Sequence, residues 1–592
     1  MTIFISKVLF VSSVVIFVSG NVVKDHEYVE DNHRSRRDTG NVVKDYEYAE
    51  DNHRSRRDAG EKIVEMNEVN RSQAVYERMR SQLKLLNYFI GSRGPRVDIR
   101  QFVNWDKTII IDNLFYVKPT TIWEVKRVIK AASMAGIHVR ATGAGYTRSP
   151  LYPDEGQISM DIRDLQRHDG PRMEMHKPTV KRPFYTVTAV TGVVEYDLNK
   201  FLVKNGLSVL TQPLIVNATI GGMLATSTHG SSWNAPNWSG FVVEMRLVNA
   251  RGRLQRYSIE THPELMKALM CNLGMMGVMY DITFQVNGTL IAKVQNQFVP
   301  LEDLFYNQTN LKDVVTSHYL TEISWYPFNS VNPEEEGVFR HNNTVLDSWT
   351  VKRDTVWLRT IVLVDSVPAG HTIQGPVYLP TGGSISGGSE TGILRGKGAL
   401  AIAKKLPSES YHYLVDAFPT ILPPKHGSET SAAFVLNIDN QFARPLRAFK
   451  FMAEKVENQI KSIGSSPLNA FLPRFLQNMD CLLCFGNNGI QQTDDSGRSL
   501  VIDFLAPPTQ IGFYDTSAAF VQQFRQEKIR PHWAKRHTDI PGIVDVIKET
   551  YGDNIAKFHQ MKFDSGIDKC GLFMNSYLTE IFGRPHNYYK WC

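Results

Sequence analysis

A short glycine-containing segment has the residue types of an anion-binding loop. It reads Ala141-Thr-Gly-Ala-Gly-Tyr-Thr-Arg-Ser-Pro150. Gly143, Ala144 and Gly145 have little or no side chain, so the backbone N–H groups of residues 143–147 can form an unobstructed concave row. Such a row suits a phosphate group, although a short glycine motif of this kind also occurs in ordinary turns.

A second small-residue segment follows about eighty residues later and reads Thr219-Ile-Gly-Gly-Met-Leu-Ala-Thr-Ser-Thr-His-Gly230. Gly221 and Gly222 could expose N–H groups from a second strand end, and Thr228 and His229 follow. His229 is either a core histidine with satisfied hydrogen bonds or a direct contact of the ligand. Two such segments in one domain predict a long ligand with a pyrophosphate in its middle.

Regular elements surround both segments. Thr121 and Glu124 form a capping box, an apolar helical face follows, and Gly136 is placed to end the helix. Alternation of apolar and polar residues predicts strands that lead into and away from the glycine segments. The predicted elements are strands 137–140, 158–162 and 185–190, a helix at 196–204, a hairpin of 241–248 and 253–257, and a final strand within 273–286. This mixture is α+β and lacks the strict βαβ alternation of a Rossmann domain.

Bulk composition excludes several classes of protein. The 592 residues suggest two to four domains, and 42% hydrophobic with 21% charged residues is ordinary for a globular chain. The net charge of +6 is small for this length, and clustered arginines lie in the N-terminal tail at 34–37 and 54–57. No basic face with interleaved aromatics stands out, so we expect no nucleic-acid partner.

Five cysteines, at positions 271, 481, 484, 570 and 592, are too few for a disulfide scaffold. One or two disulfides are expected, with at least one thiol left over. The pair in Cys481-Leu-Leu-Cys484 has no second pair at zinc-like spacing, so we expect no metal site.

The N-terminus has the pattern of a secretory signal. Lys7 precedes an apolar run, Val8 to Val18, that is short for a membrane span, and a cut after Gly20 would remove residues 1–20. The alternative is a retained anchor. We expect a mature protein that is secreted or lies in the lumen of the secretory pathway, and glycosylation sequons at Asn70, Asn287, Asn307 and Asn342 suit that location.

Residues 21–40 and 41–60 are a polar tandem repeat without a core-forming pattern, and we expect it to be disordered. Each copy contains Arg-Ser-Arg-Arg, ending at Arg37 and Arg57. This motif looks like a site for furin-type proteases, which would make the repeat a propeptide. The alternative is a solvated charge run that is never cut.

The order of motifs from 104 to 290 resembles the FAD-binding domain of the vanillyl-alcohol oxidase/PCMH-type flavoproteins. The residues on which this resemblance rests are Pro119-Thr-Thr, the two glycine segments and the Leu-Gly-x-x-Gly motif that ends at Gly277. The resemblance implies a two-subdomain FAD-binding domain, with the pyrophosphate on residues 143–147. Members with covalent flavin carry histidine where this chain has Tyr146, so we expect non-covalent FAD.

A C-terminal segment, 521–592, narrows the resemblance. Arg-Pro-His-Trp-Ala-Lys-Arg-His at 530–537 looks like the signature of the aldonolactone oxidases, which include the L-gulonolactone and D-arabinono-1,4-lactone oxidases. In that branch the segment returns to the flavin. His532 would therefore lie near the cofactor and Lys535 would offset the charge of the reduced ring.

Residues 291–520 would form an α+β cap over the substrate. The family carries a Glu-x-Arg pair on a cap strand, and its best counterpart here is Leu472-Pro-Arg474. Arg474 would orient the ring oxygens of the substrate, while the carboxylate is lost, which puts ordinary lactone activity in doubt.

The resemblance therefore implies an enzyme that oxidises the CH–OH group of a sugar lactone by hydride transfer to FAD, with O₂ as acceptor and hydrogen peroxide as product. Two alternatives stay open. One is a flavoprotein that has lost catalysis and serves in extracellular binding. The other is an oxidase for another alcohol, such as an alditol or an oligosaccharide. The sequence does not fix the oligomeric state.

Overall fold

A computed structural model describes residues 76–332, 334–335, 349–377, 392–418, 429–490 and 492–584. All described residues belong to the same compact unit. The predicted signal peptide, the tandem repeat and the sequons at Asn70 and Asn342 therefore lie outside the described residues. Of the remaining sequons, Asn307 is exposed and Asn287 is half-buried.

Helices and strands alternate irregularly along the described chain. The helices are α1 (76–90), α2 (Ile122–Ala135), α3 (Glu195–Lys204), α4 (Ile220–Ala225), α5 (Pro263–Leu269), α6 (Leu301–Phe305), α7 (Gln308–Thr316), α8 (Gly392–Ala403), α9 (Leu414–Ala417), α10 (Ala443–Ile463), α11 (Phe513–Gln523), α12 (Ile543–Asp564) and α13 (Ser576–Phe582). The strands are β1 (Val97–Val103), β2 (Ile110–Val117), β3 (Val139–Thr142), β4 (Ile158–Asp161), β5 (Met173–His176), β6 (Tyr185–Val190), β7 (Leu207–Ser208), β8 (Val242–Val248), β9 (Leu254–Ser258), β10 (Val278–Gly288), β11 (Ile291–Pro300), β12 (Leu320–Trp325), β13 (Thr355–Val364), β14 (Ile373–Gln374), β15 (Glu409–Tyr413), β16 (Thr430–Asp439), β17 (Ala470–Gln477), β18 (Asp495–Ala506) and β19 (Arg530–Pro531).

The first subdomain of the expected FAD-binding domain is a four-stranded sheet in the order β1-β2-β4-β3. The predicted capping box of Thr121 and Glu124 is confirmed, and Gly136 ends α2 in the left-handed conformation with φ 66°. The apolar face of α2 is fully buried, which fixes the helix on the sheet. Strand β3 leads directly into the first glycine segment. The folded unit begins before Asn104, since β1 already starts at Val97.

The second subdomain is a six-stranded sheet in the order β5-β6-β10-β8-β9, with β7 also paired to β10. The predicted strand 185–190 and the hairpin turn at 249–252 are present. The second glycine segment differs from the expectation, because residues 220–225 form α4 rather than a loop at a strand end. The Thr219 hydroxyl accepts a hydrogen bond from the Gly222 N–H and so begins this helix.

The cap is built on a nine-stranded sheet in the order β14-β15-β11-β13-β12-β17-β18-β16-β19. It starts at Ile291, immediately after β10 of the second subdomain. The C-terminal segment belongs to both parts of the fold. Strand β19 forms an edge of the cap sheet, whereas the Val139 N–H of β3 donates to the Leu572 carbonyl at 2.9 Å. The predicted α+β architecture is confirmed, with two subdomains, a cap and a C-terminal segment that returns to the first subdomain.

The described cysteines comprise disulfide-bonded residues and one free thiol, as expected. Cys481 and Cys484 form a disulfide, Cys570 is also disulfide-bonded, and Cys271 is a buried free thiol. Within the described residues no group of histidine, cysteine and carboxylate side chains could hold a metal ion. No helix of the described chain has the length and apolar character needed to cross a bilayer.

Candidate active site

The first glycine segment forms a cradle of free backbone N–H groups. Residues 143–147 line a large pocket, and none of their five N–H groups donates to an acceptor in the described part of the chain. A Cβ added to Gly143 would lie 2.1 Å from the Thr219 Oγ1, so only glycine allows the two segments to approach. Gly145 has φ 80°, where a side chain would be strained. An unobstructed N–H row of this kind fits a pyrophosphate.

The second glycine segment contributes Gly222, Thr228 and His229 to the same pocket. Gly221 lies outside the lining, because it packs against Thr191, where an added Cβ would be 2.9 Å from the Thr191 Cβ. Gly221 therefore serves close packing behind the pocket.

Gly277, the other expected cofactor residue, also lies outside the lining. It has φ 96°, and an added Cβ would lie 2.6 Å from the Val248 carbonyl oxygen. Its small size therefore serves the contact between β8 and β10. Leu273 and Gly274, earlier in the same motif, line the pocket instead.

The signature at 530–537 lies directly against the first glycine segment. The Arg148 N–H donates to the Ala534 carbonyl at 2.9 Å, and the Ser149 hydroxyl donates to the Trp533 carbonyl. Trp533 is fully buried, and its indole N–H donates to the Leu483 carbonyl at 2.7 Å, which gives it a packing role. These bonds bring His532 and Lys535 into the pocket lining.

Two buried arginines that sequence reasoning missed hold the pocket walls together. Arg140 donates to the carbonyls of Leu151, Leu273 and Phe573, and thereby joins three separated segments. Arg148 pairs with Asp106 at 2.9 Å and donates to the Ser431 hydroxyl of β16 at 2.7 Å. Arg148 therefore links the glycine loop to the cap. In the sequence, Arg140 could have been recognised as a charged residue within a short strand of otherwise uncharged residues.

The cap sheet presents a charged face to the pocket. Glu322 of β12 pairs with Arg474 of β17, and its second oxygen lies 3.1 Å from the Arg359 Nη1 of β13. Burial lowers the pKa of Arg359, and the Glu322 carboxylate opposes this shift. Glu322 and Arg474 both line the pocket, so Arg474 lies where the sequence placed it.

The carboxylate missing at Leu472 is therefore replaced from neighbouring strands. Leu472 pairs across β17 and β18 with Asp503, and Arg474 has Glu322 beside it. All four residues line the pocket. Asp503 was detectable in the sequence as a lone charge within the apolar run Leu500 to Leu505. The pocket keeps acceptors for hydroxyl groups although the family position lacks one.

Lys535 and Asp503 form a largely buried ion pair, with the Nζ 3.1 Å from the Oδ1. Burial alone would raise the pKa of Asp503, but Lys535, His229 and Arg474 together hold the pKa below 3.8. Burial lowers the pKa of Lys535 from 10.5, and Asp503 counteracts that shift. The pair places a lysine ammonium and a carboxylate at the junction of cap and cofactor domain.

Both histidines of the pocket are held neutral by burial. Desolvation lowers the pKa of His229 to about 4 and that of His532 well below 6.5. The His229 Nδ1 donates to the Gly230 carbonyl at 2.9 Å, which leaves its Nε2 unprotonated. The His532 Nδ1 accepts from the Ala534 N–H at 3.0 Å. His229 is thus a buried pocket residue with one nitrogen satisfied by the backbone.

Tyr146 lies at the loop position where covalent family members carry histidine. Its ring centroid is 5.5 Å from that of Trp105, and both rings line the pocket. Burial raises the pKa of Tyr146, so the phenol stays neutral and is a poor nucleophile at physiological pH.

Comparison with known proteins supports the cofactor. Residues 114–258 match the model of the FAD binding domain family. D-arabinono-1,4-lactone oxidase of Saccharomyces cerevisiae is 27% identical over 228 residues, which are 38% of this chain and 41% of that protein. L-gulonolactone oxidase of Mus musculus is 26% identical over 189 residues, 31% of this chain and 40% of that protein. The chain thus spans about two fifths of the length of these curated relatives.

Solved structures support the fold. A cholesterol oxidase from Brevibacterium sterolicum superposes with a TM-score of 0.66 at 18% identity, covering 82% of this chain and 97% of that one. The similarity therefore extends well beyond the FAD-binding domain into the cap. Residues 114–258 therefore resemble an FAD binding domain, and this part of the chain is similar to the D-arabinono-1,4-lactone and L-gulonolactone oxidases.

Proposed function

We propose that this protein is an FAD-dependent oxidoreductase that oxidises the CH–OH group of a sugar lactone. One observation carries the proposal: the charged face of the cap sheet and the N–H row of residues 143–147 line the same pocket. A cofactor held by that row extends toward side chains suited to a polyhydroxylated substrate.

Different residues of the pocket would contact the substrate and the cofactor. Bound FAD would supply the hydride acceptor. Arg474 donates to ring and carbonyl oxygens of the lactone, and Glu322 fixes the guanidinium by pairing with it. Asp503 and Glu322 offer acceptors to substrate hydroxyls. Lys535 offsets the negative charge that two-electron reduction adds.

The cofactor is non-covalent in this proposal, because Tyr146 replaces the linking histidine and its phenol is neutral. Molecular oxygen takes the two electrons and gives hydrogen peroxide. Retention of FAD then depends on the backbone cradle and on the packing of Trp105 and Tyr146 at the loop.

Purified protein loaded with FAD tests the activity. Anaerobic addition of aldonolactones should bleach the flavin bands, and aerobic turnover should release hydrogen peroxide. Arg474→Lys should raise KM because it loses the planar fork, whereas Arg498→Lys, outside the pocket lining, should not. Flavin that bleaches only with alditols or oligosaccharides would favour the second oxidase class. Flavin that no alcohol reduces would favour a binding protein without catalysis.

We further propose that the protein is secreted. The apolar run at 8–18 and the disulfides support this, since disulfides persist in oxidising compartments. Mass spectrometry of the protein recovered from the medium of expressing cells should give an N-terminus at residue 21, 38 or 58. The last two would report cleavage by a furin-type protease, and an intracellular protein that keeps Met1 would contradict secretion.

A further inference from the structure

Three cations that line the pocket have a carboxylate partner. Arg148 pairs with Asp106 at 2.9 Å, and Arg474 pairs with Glu322. Lys535 pairs with Asp503, whose Oδ1 lies 3.1 Å from the Nζ. In the described part of the chain, Asp503 is the carboxylate within ion-pair distance of Lys535.

Lys535 is the cation of this group that can lose its proton. Arginine keeps its charge in proteins, whereas a buried lysine readily becomes neutral. The Lys535 side chain is 20% exposed, and the positive charges of Arg148 and Arg474 act against its own. His229 and His532 face it as neutral rings. Asp503 favours the charged form of Lys535, whereas burial, Arg148 and Arg474 oppose it.

We propose that Asp503 is a positioning residue that keeps Lys535 protonated, so that the positive charge beside the FAD does not vary with pH. The inference rests on the proposed function, because it requires FAD in this pocket. It assigns Asp503, on β18, a role separate from substrate binding. The residue acts on the cofactor through the lysine, with no covalent step.

The consequence appears in proton uptake on reduction. With Asp503 present, Lys535 carries its proton in both the oxidised and the reduced protein. In Asp503→Asn the lysine loses its counter-charge and gives up its proton while the flavin is oxidised. Reduction adds negative charge nearby and restores the proton, so one additional proton is taken up per two electrons.

Four proteins test this coupling: wild type, Asp503→Asn, Lys535→Arg and the double variant. The midpoint potential of the bound flavin is measured spectroscopically against reference dyes from pH 6 to 9. We expect wild type, Lys535→Arg and the double variant to share one pH slope. Asp503→Asn should show a steeper slope by one proton per two electrons. Arginine in the double variant restores the wild-type slope because it cannot deprotonate.

The inference would be refuted if the midpoint potential of Asp503→Asn had the same pH slope as that of wild type. It would also be refuted if the double variant kept the steeper slope. Asp503→Ser is measured as well, so that a folding defect of the asparagine variant does not decide the outcome. The serine variant must also show the steeper slope. A wild-type protein that binds no FAD would refute the proposed function itself. Parallel slopes in FAD-loaded proteins would refute only the role of Asp503.

Discussion

Replacing Gly143 by alanine should weaken FAD binding through a clash with a single neighbour. The added Cβ would lie 2.1 Å from the Thr219 Oγ1 and 3.1 Å from its Cβ and Cγ2. Thr219 cannot turn away without losing its cap on the Gly222 N–H. Overpacking of this kind costs about 1–3 kcal/mol, which corresponds to about a 5- to 150-fold increase in the Kd of FAD.

The double variant Gly143→Ala/Thr219→Ala isolates that clash. Thr219→Ala removes Oγ1 and Cγ2, so the alanine at 143 then meets only a Cβ at 3.1 Å. Quenching of flavin fluorescence gives the Kd for each protein. Multiplying the increases in Kd of the two single variants gives the Kd expected without coupling. We expect the measured Kd of the double variant to be lower than that value by a factor of at least about five. Gly288→Ala, which meets no atom within 4 Å, is the control. Unchanged binding by Gly143→Ala, or strictly multiplicative losses, would refute the close approach of the two segments.

Three further predictions concern the pH dependence, a thiol and the cap. Burial lowers the pKa of His537 from 6.5 to about 4, so its neutral form contributes about 3 kcal/mol of stability above pH 6.5 that is lost as the pH falls toward 4. His537→Gln should flatten acid denaturation in that window, and an unchanged curve would contradict the assignment. Cys271 is buried and burial raises the pKa of its thiol, so a thiol reagent should label it only after unfolding; labelling of the native protein would contradict this. Glu322→Gln leaves Arg474 and Arg359 without their counter-charge. It should raise the KM for lactone about 10-fold or more, while the affinity for FAD stays constant. A parallel loss of FAD affinity would show that the ion pair supports the cofactor instead.

Local chemistry made the first subdomain predictable from sequence. The capping box of Thr121 and Glu124 and the stop at Gly136 depend on residues close together in the chain, so the signal is complete in a short window. The same holds for the hairpin at 249–252, where Gly252 takes the left-handed conformation. The glycines around 143 could be assigned to a ligand because close backbone approach requires them.

Long-range contacts set the limit of such reasoning. Gly277 carries the same motif signal as a ligand-binding glycine, yet it faces the Val248 carbonyl of a neighbouring strand. The loss of a carboxylate at Leu472 suggested a weakened site, because a pattern along one strand does not show what adjacent strands supply. Glu322 and Asp503 reach the same pocket only through the pairing of β12, β17 and β18. Their recruitment depends on sheet register, which short sequence windows do not contain.

A structure of the protein with FAD bound tests the central claim most directly. We predict one FAD per chain, with pyrophosphate oxygens at about 3 Å from N–H groups of residues 143–147. The isoalloxazine ring should lie against Lys535 and face the Glu322 and Arg474 side chains of the cap sheet. A pyrophosphate bound elsewhere, or a ring directed away from Lys535, would contradict the account.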